Sequence, residues 1–157
     1  MTDVESATMT PMSNLNMALI RQRAQEIRES ATLLKEYARV SEEEFIKNRQ
    51  IADAAKYRLL VAIESSIAIC NHLVSRLAQK APETFAECFE ILKNQKVISE
   101  ALCEKLQQMS RFRNLIIHGY WKIDDAKVHQ ILANDLGDFD AYLLSVETSL
   151  PLEGQQQ

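Results

Sequence analysis

Apolar positions along most of the chain recur at spacings of three and four residues, the period of one face of an α-helix. The pattern is clearest between residues 49 and 79, where one continuous apolar stripe contains Ile51, Ala55, Leu59, Ala62, Ile63, Ile67, Cys70, Leu73, Val74 and Leu77. Such a stripe is typical of a helix packed in the middle of a bundle. We therefore predict a long core helix from about Arg49 to Gln79.

Two further helices are predicted before the core helix, each with its own start signal. The first extends from Ser13 or Asn14, either of which can cap it, to about Arg39. Ser41 is followed three residues later by Glu44. This spacing forms a capping box, which predicts a short second helix.

Three helices are predicted after the core helix. Pro82 suits the first position of a short helix, because its missing N–H would have no helical partner there. Ser99 can cap a longer helix that ends near His118, and Asp124 can cap a last helix that extends through Val146.

These elements predict one all-α domain over residues 14–150: an up-and-down four-helix bundle with one or two short accessory helices. Only three Gly and three Pro occur among 157 residues, and 46% of the residues are hydrophobic, as in helical globular proteins. Residues 1–13 and 151–157 are predicted to be flexible polar tails. Met12 and Met17 are alternative start residues.

Charge and cysteine content narrow the class of protein. The net charge of −4 argues against general affinity of the whole surface for nucleic acid, yet four cations and no acid lie between Lys105 and Lys122.

Cys70, Cys88 and Cys103 are widely spaced in helical patterns, which predicts reduced packing residues of a cytoplasmic protein rather than metal ligands. No apolar run approaches the roughly 20 residues of a membrane-spanning helix.

The segment 102–120 combines an apolar helix face with polar groups. At about 100° per residue, its apolar stripe contains Leu102, Leu106, Met109, Ile116 and Ile117. Arg113 falls in the middle of this stripe, where its permanent charge needs a partner, and Glu64 is one candidate. His118 follows near the negative end of the helix, which favours an imidazolium, and Gly119 suits a left-handed C-cap.

The pattern Arg113-x4-His118-x-Tyr120, with Asn114 next to the Arg, resembles the signature of HEPN-domain toxins of the HepT type. Segments 56–73, 82–92 and 109–120 look like this family's second helix, connecting helix and signature helix. The resemblance covers most of the chain beyond its first dozen residues.

The resemblance implies a metal-independent ribonuclease without a cofactor, acting as the toxin of a toxin–antitoxin pair. It implies an MntA-like minimal nucleotidyltransferase antitoxin that transfers AMP from ATP to Tyr120. It also implies a homodimer whose motif helices face each other, so that two Arg113/His118 pairs form one cleft for RNA, with tRNA as one candidate.

The chemistry of these residue types agrees with that activity. His118 can act as base or acid, and the guanidinium of Arg113 can clamp the scissile phosphate. Asn114 either orients the substrate or bridges the dimer, and Tyr120 either hydrogen-bonds the phosphate or stacks on a base. Arg111 either adds to a phosphate-binding rim or is an ordinary exposed cation.

Other interpretations stay open. The second candidate function is a non-catalytic helical module that docks a nucleotidyltransferase and helps it bind nucleotide or substrate. His118 could simply end a helix, and Tyr120 with Trp121 could close the bundle as an aromatic plug. His72 is predicted to be a satisfied packing residue, and His129 to face solvent.

Overall fold

The computed structural model describes residues 14–119 and 122–150, and this part of the chain contains seven α-helices and no strand. The helices are α1 (Met17–Tyr37), α2 (Glu42–Lys47), α3 (Arg49–Leu77), α4 (Phe85–Asn94), α5 (Glu100–Gly119), α6 (Asp125–Asn134) and α7 (Gly137–Ser149). The predicted all-α class with two short accessory helices, α2 and α4, is confirmed. The predicted tails, 1–13 and 151–157, lie outside the described residues.

Helix α3 forms the centre of the bundle. It packs most extensively against α1 and also contacts α2, α4, α5 and α6. Ala52, Ala55 and Ala62 are fully buried on α3, and their small side chains permit close approach of the neighbouring helices. The phenol of buried Tyr142 on α7 donates to the Ser66 carbonyl oxygen at 2.9 Å, so its polar atom is satisfied inside the core.

The composition of α3 also allows a membrane span, with a mean hydropathy of 1.2 over its most apolar window. However, 61% of that window is buried inside the bundle. The apolar character of α3 is therefore accounted for by its central position in the fold.

The first helix starts later than predicted. Asn16 caps α1, because its Oδ1 accepts the N–H of Leu19 at 3.1 Å. Asn14 lies two residues before this cap, and Ser13 lies outside the described residues. The N–H of Asn16 itself donates to Nε2 of His72 at 2.8 Å, and this contact with α3 fixes the extended backbone from which α1 begins.

Pro82 does not start α4. The cap is Thr84, whose Oγ1 accepts the N–H of Glu87 at 3.0 Å, and the helix begins at Phe85. The carboxylate of Glu87 in turn accepts the N–H of Glu83 at 3.0 Å. These two side chains satisfy N–H groups at the helix start, which the proline ring cannot do.

The single last helix predicted after Asp124 is two helices. Oδ1 of Asp124 accepts the N–H of Ala126 at 2.9 Å, so this predicted cap is confirmed. The break lies at Asp135 and Leu136. Helix α6 packs against α2, α1 and α3, whereas α7 packs against α1 and α5, so the two segments on either side of the break have largely different neighbours.

The cysteines are buried packing residues, as predicted, and none forms a disulfide. The thiol of Cys88 lies 2.9 Å from Sγ of Cys70 and 3.1 Å from Oδ1 of Asn71. Burial raises the pKa of Cys70, so this thiol stays protonated.

Candidate functional site at the end of helix α5

Helix α5 begins as predicted and ends differently. Oγ of Ser99 accepts the N–H of Leu102 at 3.1 Å, the expected cap. At the other end, Gly119 is still helical and its φ is not positive, so the predicted left-handed C-cap is wrong. A Cβ placed at Gly119 would meet nothing within 4 Å. Neither backbone conformation nor space explains the glycine.

The buried face of α5 matches the predicted stripe except at its end. Ile117 was expected to be buried, but it is 44% exposed. Phe112 is buried instead, which the predicted stripe did not include. The last turns therefore insert Phe112 and Ile116 into the core and leave Ile117 at the edge of the contact with α3.

Arg113 is held from three sides. Its Nε donates to Oε1 of Glu64 on α3 at 2.5 Å, and its Nη1 donates to Oδ1 of Asn114 at 3.0 Å. The Phe85 ring on α4 lies against the guanidinium, with 4.9 Å between Cζ and the ring centroid. The sequence indicated that a guanidinium on an apolar stripe needs a partner and offered Glu64 as one candidate, and the structure contains this ion pair.

These contacts leave part of the guanidinium for a ligand. The Arg113 side chain is 19% exposed, and that of Glu64 is 41% exposed. Within the described residues, Nη2 and the second N–H of Nη1 donate to no side chain or carbonyl. As far as the described part of the chain shows, Arg113 therefore retains donors for an anion although its charge is already paired.

His118 and Asn114 lie on the exposed side of the same helix. They are four residues apart, so their side chains occupy neighbouring positions one turn apart on this helix. The structure therefore combines a held guanidinium, an amide bonded to it and an exposed imidazole within the last two turns of α5. Tyr120 and Trp121 follow and lie outside the described residues.

Arg111 faces a different part of the surface. It lines a cavity of about 260 Å³ between α5 and the last two helices, together with Lys105, Lys127 and Asp138. Arg113 is not part of this lining. The structure thus does not bring the two arginines together within one protomer.

Apolar side chains are exposed beside the site. Tyr57 on α3 is 60% exposed, and Ile117 on α5 is 44% exposed. Tyr57 and Leu60 line a cavity of about 300 Å³ with Ile116 and Ile117. Exposed apolar groups gathered in this way are typical of a surface that contacts another protein.

The two remaining described histidines have structural contacts. Nε2 of His72 accepts the N–H of Asn16, and burial lowers the pKa of His72, with a smaller contribution from Arg76. The predicted packing role is confirmed. His129 was expected to face solvent, which is wrong: its Nε2 lies 2.6 Å from the Val40 carbonyl oxygen.

Sequence comparison identifies the family to which this chain belongs. The family model described as Ribonuclease HepT-like matches residues 27–146, more than half of the chain. The chain belongs to the HepT-like ribonuclease family. The predicted HepT-type identity and the predicted enzyme class, a ribonuclease, are thereby confirmed.

Individual relatives agree with this family. A tRNA nuclease HepT of Aphanizomenon flos-aquae is 22% identical over 139 residues, which cover 88% of this chain and 95% of that protein. An mRNA nuclease HepT of Shewanella oneidensis is 23% identical over 100 residues, 64% of this chain and 75% of that protein.

A solved structure confirms the HEPN-like fold. A tri-AMPylated HEPN toxin of Shewanella oneidensis, in complex with an MNT antitoxin, superimposes on this chain with a TM-score of 0.77. The identity is 19%, and the match covers 83% of this chain and 98% of the toxin. At 19% identity, the superposition shows that the two proteins share a backbone fold.

Proposed function

We propose that this chain is the ribonuclease toxin of a toxin–antitoxin pair and that it cleaves RNA without a metal ion at Arg113 and His118. The observation that carries the proposal is the state of Arg113. Its guanidinium is held by Glu64, Asn114 and Phe85 and, among the described residues, keeps donors for an anion on the same helix as the exposed His118.

The proposed reaction uses the 2′-hydroxyl of RNA as the nucleophile. Its oxygen bonds to the adjacent phosphorus as a base takes its proton, and the bond from phosphorus to the 5′-oxygen breaks as an acid protonates that oxygen. His118 serves as base or acid. Arg113 stabilises the negative charge that develops on the phosphate oxygens. Asn114 holds Arg113 through its Oδ1 and keeps an amide N–H₂ that can orient the substrate.

A homodimer would supply both proton-transfer groups. One chain contributes a single His118, whereas two facing motif helices contribute a base and an acid. The exposed side chains of Tyr57 and Ile117 support this arrangement, because pairing two copies through this surface would cover them. Arg111 of each copy would then lie at the rim of the shared cleft and contact RNA phosphates outside the scissile one.

We further propose that an MntA-like nucleotidyltransferase neutralises this chain by transferring AMP from ATP to Tyr120. The phenol oxygen bonds to the α-phosphorus, pyrophosphate leaves, and the phenol proton passes to solvent. The Shewanella oneidensis toxin, which is tri-AMPylated in its complex with an MNT antitoxin, supports this step. AMP next to the proposed site would add bulk and negative charge where an RNA phosphate must bind.

The proposal also includes the class of RNA that is cleaved and the cellular compartment in which the protein acts. The two relatives are named as nucleases of mRNA and of tRNA, so both RNA classes are candidate substrates of this chain. Toxin, antitoxin and RNA would meet in the cytoplasm.

Induced expression in a bacterial host tests this function. The wild-type chain should arrest growth and degrade cellular RNA, whereas His118→Ala at equal protein level should do neither. Co-expression of the nucleotidyltransferase with wild-type chain should restore growth. If His118→Ala is as toxic as wild type, the proposed site is wrong. If neither is toxic and the chain only raises the affinity of the nucleotidyltransferase for ATP, the docking-module alternative is correct.

A further inference from the structure

We propose that Glu64 and Phe85 are positioning residues that fix the guanidinium of Arg113 for phosphate binding. This inference rests on the proposed function, since it assigns two side chains outside the signature helix to the work of Arg113. Neither residue belongs to the signature pattern, and each comes from a different helix, α3 and α4.

The first argument is geometric. A hydrogen bond at Nε sets the direction of a guanidinium, and an aromatic ring that lies next to Cζ limits how the group can move on that side. Glu64 provides the first contact at 2.5 Å, and Phe85 provides the second at 4.9 Å. The bond from Nη1 to Asn114 adds a third point. An arginine held in this way has lost its rotamer freedom before RNA binds, so substrate binding does not have to order it.

The second argument concerns which donors remain. Glu64 occupies Nε, and Asn114 occupies one N–H of Nη1. A phosphate can therefore reach only Nη2 and the other N–H of Nη1 while these contacts persist. Loss of Glu64 or Phe85 would let the guanidinium rotate and offer other edges, which would misplace the charge relative to the scissile phosphate.

The third argument is that Glu64 orients Arg113 and does not itself attract RNA. The Glu64 carboxylate is 41% exposed and carries a negative charge beside the site where a phosphate is proposed to bind. Its charge opposes RNA binding, while its hydrogen bond orients Arg113. Removing Glu64 should therefore slow cleavage without weakening RNA binding. A carboxylate with a purely structural role would not produce this separation.

The experiment measures cleavage kinetics and the affinity for a 2′-O-methyl RNA that cannot be cleaved. The variants are Glu64→Ala, Glu64→Gln, Phe85→Leu, Arg113→Ala and the double variant Glu64→Ala/Arg113→Ala. Glu90→Gln is the matched control, because Glu90 links α4 to α5 through Gln107 without contacting Arg113.

Glu64→Ala and Phe85→Leu should lower kcat by roughly tenfold or more, as expected for a misplaced catalytic group. Glu64→Gln keeps a hydrogen-bond acceptor and should lie between wild type and Glu64→Ala. The Glu64→Ala variant should bind the uncleavable RNA as tightly as wild type or more tightly. The double variant should be no slower than Arg113→Ala alone, because both changes act on one group.

Different results would contradict the positioning inference and the proposed function. If Arg113→Ala is inactive while Glu64→Ala and Phe85→Leu keep wild-type kcat, the positioning inference is wrong and the proposed function stands. If Arg113→Ala cleaves RNA like wild type, the proposed role of Arg113 is wrong. If Glu64→Ala loses RNA affinity in parallel with thermal stability, and Glu64→Gln does the same, Glu64 is only a structural residue.

Discussion

Lys56 and Asp125 form an ion pair in the interior of the protein, with 2.6 Å between Nζ and Oδ1. The Lys56 side chain is 4% exposed and that of Asp125 is 19% exposed, so both charges are largely removed from water. Lys56 also lies 3.8 Å from Oδ1 of Asp53. The pair joins the middle helix α3 to the first turn of α6 and thereby fixes the point at which the chain re-enters the bundle after α5.

Breaking this pair should destabilise the protein. Lys56→Met leaves the Asp125 carboxylate buried without its main counter-charge, which should lower the free energy of unfolding by about 3 kcal/mol. Urea unfolding followed by circular dichroism measures the change. Lys47→Met is the matched control, because Lys47 and its partner Glu43 are 74% and 78% exposed and an exposed pair contributes little. Equal stability of Lys56→Met and wild type would show that the pair contributes nothing.

The contact between His72 and Asn16 should make stability depend on pH. Burial lowers the pKa of His72 from 6.5, and Nε2 must be unprotonated to accept the Asn16 N–H. The unfolded chain therefore takes up a proton at a higher pH than the folded chain. Stability from this contact is complete above pH 6.5 and is lost as the pH falls from there through the lower folded pKa.

His72→Gln tests that dependence, because its amide oxygen accepts a hydrogen bond and does not titrate over this range. Urea unfolding should show that wild type loses more stability than His72→Gln as the pH falls from 7.5 to 5. Parallel pH profiles for the two proteins would show that His72 does not contribute.

Tyr120 should be the residue that receives AMP. Intact-mass spectrometry of the chain, expressed with its nucleotidyltransferase and ATP, should show a gain of one or more AMP units. The gain should be absent from Tyr120→Phe, which lacks the phenol oxygen. Tyr57→Phe is the control, since Tyr57 is also exposed and should leave the mass gain intact. AMP on Tyr120→Phe would place the modification elsewhere.

Sequence periodicity predicted the bundle because it depends on local spacing. The limits of the core helix and the caps at Ser41, Ser99 and Asp124 follow from rules that act within a helix. The need of Arg113 for a partner follows from the desolvation of its charge, although the sequence offered Glu64 only as one candidate. Such features are predictable because the residues that decide them are close together in the sequence or carry a charge that must find a partner.

The errors arise where a second helix decides the outcome. The apolar period continues through Leu132, Leu136 and Phe139, so it does not reveal that α6 packs against α2 and α3 while α7 packs against α5. The exposure of Ile117 depends on the position of α3 beside the end of α5. The contact of Phe85 with Arg113 has no signal in either segment, because it joins residues from α4 and α5.

Cleavage of RNA by the purified chain, freed of its partner, tests the central claim most directly. The assay follows an end-labelled RNA in the presence of EDTA and identifies the product ends. Wild type should cleave the RNA and leave a 2′,3′-cyclic phosphate, while Arg113→Ala and His118→Ala should each lower kcat by about a hundredfold or more. His72→Gln, altered outside the proposed site, should cleave like wild type. Undiminished cleavage by His118→Ala, or cleavage by wild type that EDTA abolishes, would contradict the proposed mechanism.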